Sequence, residues 1–139
     1  MRRTAMAVMA LALLAGMVAC GSDSSGDLVG PTWQWTGLVE NAPKHQSAIP
    51  DPENYTLTFA DDGNFQAKAD CNQVSGGYEA DGDSLTLQPG PSTLVACPEG
   101  SLGDQYVALL HAFDTFAIDG DQLTVQLAAD AGEMQFTQA

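Results

Sequence analysis

The chain has 139 residues, and its 18 acidic residues against four lysines and arginines give a formal net charge of −14 at pH 7. This length accommodates one domain with a hydrophobic core of its own. So acidic a surface repels phosphate backbones and anionic headgroups, which argues against nucleic-acid binding and against membrane binding by the protein surface itself.

The first 20 residues have the pattern of an export signal. Arg2 and Arg3 precede an apolar run, which ends in small residues just before Cys20. The run is too short and wrongly flanked for a membrane-spanning helix and is typical of a secretory signal. A signal that ends in Cys-Gly resembles a bacterial lipobox, in which the cysteine thiol receives a diacylglycerol and becomes the mature N-terminus. We therefore predict a signal peptide over residues 1–19 and lipidation of Cys20; the alternative is an ordinary cleaved signal with an incidental cysteine.

Residues 20–27 are predicted to form the lipidated N-terminus and a flexible tether, because they are polar and lack apolar periodicity. A Gly/Ser-like tether reaches about 15 to 20 Å, so the domain over residues 28–139 would stay close to the bilayer. Without residues 1–19, two lysines oppose 18 acidic residues, and the formal net charge becomes −16. The membrane would then be reached through the lipid. The expected location is the bacterial cell envelope, at the outer membrane if the cell has two membranes.

The domain opens with a stretch of alternating polarity. Trp33 and Trp35 are two residues apart and would point to the same side of a strand, which favours core anchors over a ligand-stacking platform. Residues 40–53 contain three prolines and no periodicity, and they are predicted to form a long surface loop.

Short strands separated by Asp-Gly turns follow, and Pro89-Gly90-Pro91 is predicted to end one of them. The apolar positions of these strands are Tyr55, Leu57, Phe59, Phe65, Ala67, Ala69, Tyr78, Ala80, Leu85, Leu87, Phe116, Ile118, Leu123, Val125, Leu127, Met134 and Phe136. Between them one helix is predicted, with Ser101 and Asp104 resembling a capping box. Its apolar stripe comprises Leu102, Tyr106, Leu109, Leu110 and Phe113, and it should lie across the concave face of the sheet. The predicted fold class is mainly β (α+β): a strongly curved antiparallel sheet or cracked barrel of about eight short strands with one packed helix.

Cys71 and Cys97 remain as a pair if Cys20 is acylated. In an exported chain such a pair predicts a disulfide, which would close a loop of about 27 residues and contribute about 3 to 4 kcal/mol. The alternative is two buried reduced thiols, because cysteine packs well as a small apolar group. A redox-active role is not supported, because the chain has no Cys-x-x-Cys motif.

Five short motifs in order resemble the META domain family, to which HslJ-like heat-shock proteins belong. The motifs are Leu28-Val29-Gly30-Pro31-Thr32-Trp33, the stretch Tyr55 to Phe59 with Asp62-Gly63, Cys71-Asn72, Gly76-Gly77-Tyr78 and Thr93-Leu94-Val95-Ala96-Cys97. The order and spacing of the resemblance cover residues 28–137. The family commonly has Gly before Cys-Asn, where this chain has Asp70. The resemblance implies a barrel-like sheet interrupted by a helix, and an association with stress or secretion.

The sequence shows no catalytic constellation. His45 and His111 have no histidine or cysteine at ligand spacing, and the two Asp-Gly-Asp sequences lack the rest of a calcium loop. There is no Gly-x-Ser-x-Gly motif and no phosphate-binding loop, and Asn64 and Asn72 are interpreted as turn residues. We therefore expect no enzyme, no cofactor and no metal site.

Three functional hypotheses follow. The first is a lipid-anchored, non-enzymatic envelope domain that binds an envelope protein or supports envelope integrity, with a groove between helix and sheet as its site. The second is a small chaperone that carries a lipid or another hydrophobic ligand, which requires a cavity under the helix. The third is an enzyme of unrecognised type, which requires a cleft that gathers a histidine with buried carboxylates.

Overall fold

The computed structural model describes residues 25–93 and 95–139; the predicted signal peptide and Cys20 lie outside these residues. The described residues form nine strands, named β1 to β9 in chain order. They are Thr32–Asn41, Lys44–Ala48, Tyr55–Phe59, Asn64–Ala69, Asn72–Asp81, Ser84–Ser92, Phe113–Asp119, Gln122–Leu127 and Gly132–Gln138. Two helices accompany them, α1 over Ser25–Leu28 and α2 over Gly103–Leu110.

The strands form a closed antiparallel barrel. Each strand from β3 to β8 pairs with the next, and β9 returns to pair with β1. The other edge of β1 is shared, because its first half pairs with β3 and its second half with β2. Eight strands therefore close the barrel and β2 extends beside it, so the predicted fold class is confirmed.

The seam between β6 and β7 is the weakest in the barrel. Its register contains one residue pair, Ser84 with Thr115, and the backbone N–H of Phe116 donates to the Asp83 carbonyl at 2.8 Å. The chain leaves the barrel at this seam to form α2. The sheet is therefore nearly open where the helix interrupts it.

Alternating burial explains why these sequences form strands. Trp33 and Trp35 are both 0% exposed, as their spacing predicted. In β3 and β4 the apolar side chains point inward and the Thr, Gln and Lys side chains between them point outward. The barrel interior is therefore a continuous apolar core that takes one residue in two from most strands.

Three aromatic rings fill the space between α2 and the sheet. Trp35 stacks on Tyr106 with ring centroids 5.2 Å apart, and Tyr55 meets both rings edge-on at 5.8 and 5.9 Å. The polar ends of these rings are paired: the Tyr106 hydroxyl donates to the Thr56 carbonyl at 2.9 Å, and the Tyr55 hydroxyl accepts from the Leu102 N–H at 2.9 Å. Helix α2 is thus fixed by packing and by hydrogen bonds at once.

The prediction of a loop over residues 40–53 is wrong for the first half of that range. Strand β1 continues to Asn41, and β2 returns from Lys44 to Ala48. Nearly all side chains of β2 are exposed, so its sequence carries no alternation that could have revealed a strand. Backbone pairing with β1 holds it in place.

The helix differs from its prediction at both ends. It begins at Gly103, and the Ser101 hydroxyl accepts from the Gly103 N–H at 3.1 Å. The Ser101 N–H donates to the Pro98 carbonyl at 3.1 Å, so the expected capping box with Asp104 does not form. Phe113 belongs to β7. Neither α1 nor α2 is both long and apolar enough to cross a bilayer.

Alkaline pH should destabilise the barrel through Tyr106. Complete burial raises the pKa of this phenol far above its usual value. In the unfolded chain the phenol ionises near pH 10, so the stability is fully present below about pH 10 and falls above it by about 1.4 kcal/mol per pH unit. Tyr106→Phe should show a shallower fall above that pH in urea unfolding, and identical slopes for the two proteins would contradict this account.

Candidate functional site

The structure has a disulfide between Cys71 and Cys97, the pair that the sequence suggested. Their Cα atoms are 5.5 Å apart, and 26 positions separate them in sequence. The bridge joins the turn between β4 and β5 to the segment between β6 and α2. Cys71 is exposed and Cys97 half-buried, so the bridge lies at the surface of the domain.

Asn72 is not the turn residue that its sequence context suggested. It begins β5 and is 9% exposed. Its Oδ1 accepts the Val95 N–H at 2.8 Å, and its Nδ2 donates to the Val95 carbonyl at 2.9 Å. Oδ1 also accepts from the Thr93 hydroxyl at 3.1 Å. One side chain thus gives the segment after β6 the paired backbone partners that a neighbouring strand would provide.

The turn itself is made by Asp70. Its φ is 59°, in the left-handed region that glycine adopts without steric cost. Glycine is the residue that the family resemblance leads one to expect at this position. The difference at Asp70 is therefore a matter of backbone conformation, with no functional role needed to explain it.

Strand β6 does not end at its Pro-Gly-Pro sequence, because a β-bulge absorbs it. Val74 pairs with Ser92 and Gly76 with Pro89. Between these pairs β5 has one residue and β6 has two, so β6 bends at this point. The predicted strand end is wrong, since β6 continues to Ser92.

Two glycines permit the close approach of the strands at this bulge. A Cβ on Gly76 would overlap the carbonyl oxygen of Gln88, and a Cβ on Gly90 would lie 3.1 Å from the Ser75 carbonyl oxygen. The close packing of the two strands therefore explains why glycine occupies the first position of the Gly-Gly-Tyr motif.

The bulge forms one wall of a groove on the outer face of β4, β5 and β6. We call it the outer groove and define it by the residues that line it: Gln66, Gln73, Val74, Ser75, Pro91, Ser92 and Thr93. It has a volume of about 460 Å³. It continues over Ser75 and Pro91 into a second depression of about 560 Å³ near Asn64 and Asp62. Both volumes are typical of small-ligand sites.

The lining of the outer groove is uncharged and mixed, with five polar residues and the apolar Val74 and Pro91. None of the seven residues that line it carries a charge, although the chain has 18 acidic residues. Thr93 is held in place, because its hydroxyl donates to Asn72 and accepts from the Gln73 N–H at 3.0 Å. Within the described ranges no hydrogen bond engages the side-chain amides of Gln66 and Gln73, and both side chains are exposed.

The predicted groove between helix and sheet is absent from the described residues, because Trp35, Tyr55 and Tyr106 occupy that space. His45 lies in β2 and His111 directly follows α2, and both are exposed. No group of three or more His, Cys, Asp or Glu residues in the part of the chain that the structure describes could hold a metal ion.

The role of Asn72 can be tested by an isosteric change. Asn72→Asp places a second oxygen where Nδ2 donates to the Val95 carbonyl, so the free energy of unfolding should fall by about 3 kcal/mol at pH 7. Asn64→Asp is the matched control, because Asn64 is exposed at the start of β4 and its change should stay within about 0.5 kcal/mol. Urea unfolding measures both, and equal losses would argue against the pairing described here.

The backbone role of Asp70 predicts an inverted preference between two small residues. Asp70→Ala should lower the free energy of unfolding by about 1 kcal/mol relative to Asp70→Gly, because alanine is strained at positive φ. At Asp81, whose φ is not positive, alanine should be the more stable of the two substitutions. Thermal or urea unfolding of the four variants measures this order, and the same order at both sites would disprove the explanation.

Comparisons with known proteins support the same fold and family. An NMR structure of a protein from Burkholderia xenovorans is similar, with 21% identity, a TM-score of 0.67, and coverage of 84% of this chain and 86% of that one. A crystal structure of a DUF4847 family protein from Bacteroides vulgatus has 14% identity and a TM-score of 0.58, with coverage of 79% and 93%. No curated protein matches the sequence. The family model of the META domain matches residues 26–139. The chain therefore belongs to the META domain family.

Proposed function

We propose that this META domain protein is a lipid-anchored, non-enzymatic protein of the bacterial cell envelope, whose barrel binds a ligand on its outer surface. The observation that carries the proposal is the combination of a surface disulfide with a lipobox-like sequence a few residues before the domain. Disulfides persist mainly in oxidising, extracytoplasmic compartments. Export would supply that environment, and the predicted lipid on Cys20 would keep the domain at a membrane.

The point at which the chain enters the barrel supports an anchor at one end of it. The N–H of Gly30 donates to the Phe59 carbonyl at 3.2 Å, so the chain enters where β3 ends. In an antiparallel barrel the turns after β3, β5 and β7 lie at this same end, and each contains acidic residues. An anionic bilayer would repel this end, which favours a barrel that stands off the surface on its tether.

The structure favours an outer binding surface over an internal one. A hydrophobic carrier needs an interior cavity, and the space under α2 is filled by Trp35, Tyr55 and Tyr106. This packing is an argument against the alternative of a lipid-carrying chaperone. The outer groove offers accessible side chains on a rigid wall, so binding is assigned there.

The anchor is tested by expressing the full chain in a bacterium with radiolabelled palmitate. The wild-type protein should be cleaved before Cys20 and labelled, and mass spectrometry should find an acylated N-terminal cysteine. Cys20→Ser should lose both the label and this processing. Ser22→Ala, a change in the neighbouring tether, should behave as the wild type.

The same sample tests the compartment. Alkylation under non-reducing conditions should leave Cys71 and Cys97 unmodified, because they are bonded to each other. Label that persists in Cys20→Ser, or two freely alkylated thiols in the exported protein, would contradict the proposal.

A further inference from the structure

The outer groove has three properties that suit the binding of a ligand. Its lining is uncharged, its amide groups are exposed, and one of its walls is fixed. The fixed wall is the end of β6, which contains the bulge and is followed by Thr93, held by Asn72, and by the disulfide at Cys97. A preformed wall reduces the ordering cost of binding.

The side chains at this surface match a ligand that both donates and accepts hydrogen bonds. Each glutamine amide presents two N–H donors and one carbonyl acceptor, and each hydroxyl can do both. Gln66 and Gln73 lie on neighbouring strands, with Ser75 and Ser92 beside them. Sugar hydroxyls have this same dual character, and Pro91 adds an apolar surface for the C–H face of a sugar ring.

A peptide ligand fits the geometry less well. Extended peptides gain most of their affinity by adding a strand to an unpaired sheet edge. The groove lies on the face of β4, β5 and β6, which pair with one another in ladders, and only the edge of β6 towards β7 has unpaired backbone groups. A ligand in the groove itself therefore meets side chains, and backbone recognition of a peptide is open only along that edge.

Charge disfavours an anionic ligand. A polyanion would meet a protein of net charge −14 and no cationic side chain in the lining. A polycation would find no carboxylate among the seven residues of the outer groove, and its nearest ionic partner would be Asp62 in the neighbouring depression. An uncharged ligand is not repelled by the net charge and needs no ionic partner in the groove.

We propose that the outer groove binds a neutral oligosaccharide, recognised through the amides of Gln66 and Gln73 and the hydroxyls of Ser75 and Ser92. This inference rests on the proposed binding role and names its ligand class. The groove runs along the strands on the barrel wall, so a chain of sugars could lie along it and continue into the depression near Asn64.

The test titrates the full chain, purified in detergent, with tetra-N-acetylchitotetraose and follows amide resonances by NMR. Saturable shifts are expected, with a Kd in the millimolar range or tighter, and they should map to the outer groove. The double variant Gln66→Ala/Gln73→Ala should weaken binding by about tenfold or more, because it removes direct hydrogen bonds. Gln105→Ala, at an exposed position of α2, is the matched control and should bind as the wild type.

Two comparison ligands decide the chemical class. Tetragalacturonate, an anionic tetrasaccharide, should bind more weakly than the neutral probe, and an uncharged Gly/Ser/Gln peptide should cause no localised shifts. Absence of saturable shifts with the neutral probe, equal binding of the anionic one, or preferential binding of the peptide would each overturn the assignment. If the saccharide does not bind while Cys20 is found to be acylated, the ligand assignment is wrong and the proposed anchor stands. If the saccharide binds to a protein that is not acylated, the anchor is wrong and the ligand assignment stands.

Discussion

The side-chain amide of Asn72 pairs with both backbone groups of Val95, and much of the domain's architecture depends on this contact. The chain leaves the barrel after β6 and must return as α2, so the segment between them has no strand beside it. Asn72 supplies the missing hydrogen bonds, and the bridge between Cys71 and Cys97 adds a covalent limit on how far the segment can move. Helix and groove wall are both positioned by this arrangement.

The packing of side chains in the barrel interior determines where a ligand can bind. Small closed barrels either hold a ligand inside or pack their interior with side chains. Here Trp35, Tyr55 and Tyr106 occupy the interior beside α2, and their polar atoms are paired within the protein. A packed interior of this kind stabilises the domain and leaves recognition to the outer face and the loops.

The distribution of charge separates two regions of the surface. Acidic residues lie in the turns at the end where the chain enters, next to the predicted tether, and also in the loops at the opposite end, such as Asp51, Asp70 and Asp130. The wall formed by β4, β5 and β6 carries mainly Gln, Ser and Thr along the outer groove. The acidic turns favour solubility and distance from an anionic surface, while the neutral wall can approach an uncharged ligand without electrostatic cost.

Alternating apolar residues were sufficient to predict most strands, the inward direction of Trp33 and Trp35, and the fold class, because a half-buried strand needs period-two polarity. The cysteine count and the motif order likewise indicated the bridge and the family. Strand β2 could not be predicted, since its side chains are exposed and only its backbone pairing defines it.

No sequence pattern could have predicted the outer groove. Its walls come from strands that pair in the fold and from a bulge that is visible only in the register of β5 and β6. The role of Asn72 was hidden for the same reason: its partner, Val95, is 23 positions away and is brought near by the barrel. Local periodicity therefore determined which residues are buried. Tertiary structure alone decided which exposed polar residues stand together, because a surface residue leaves no periodic signal of its neighbours.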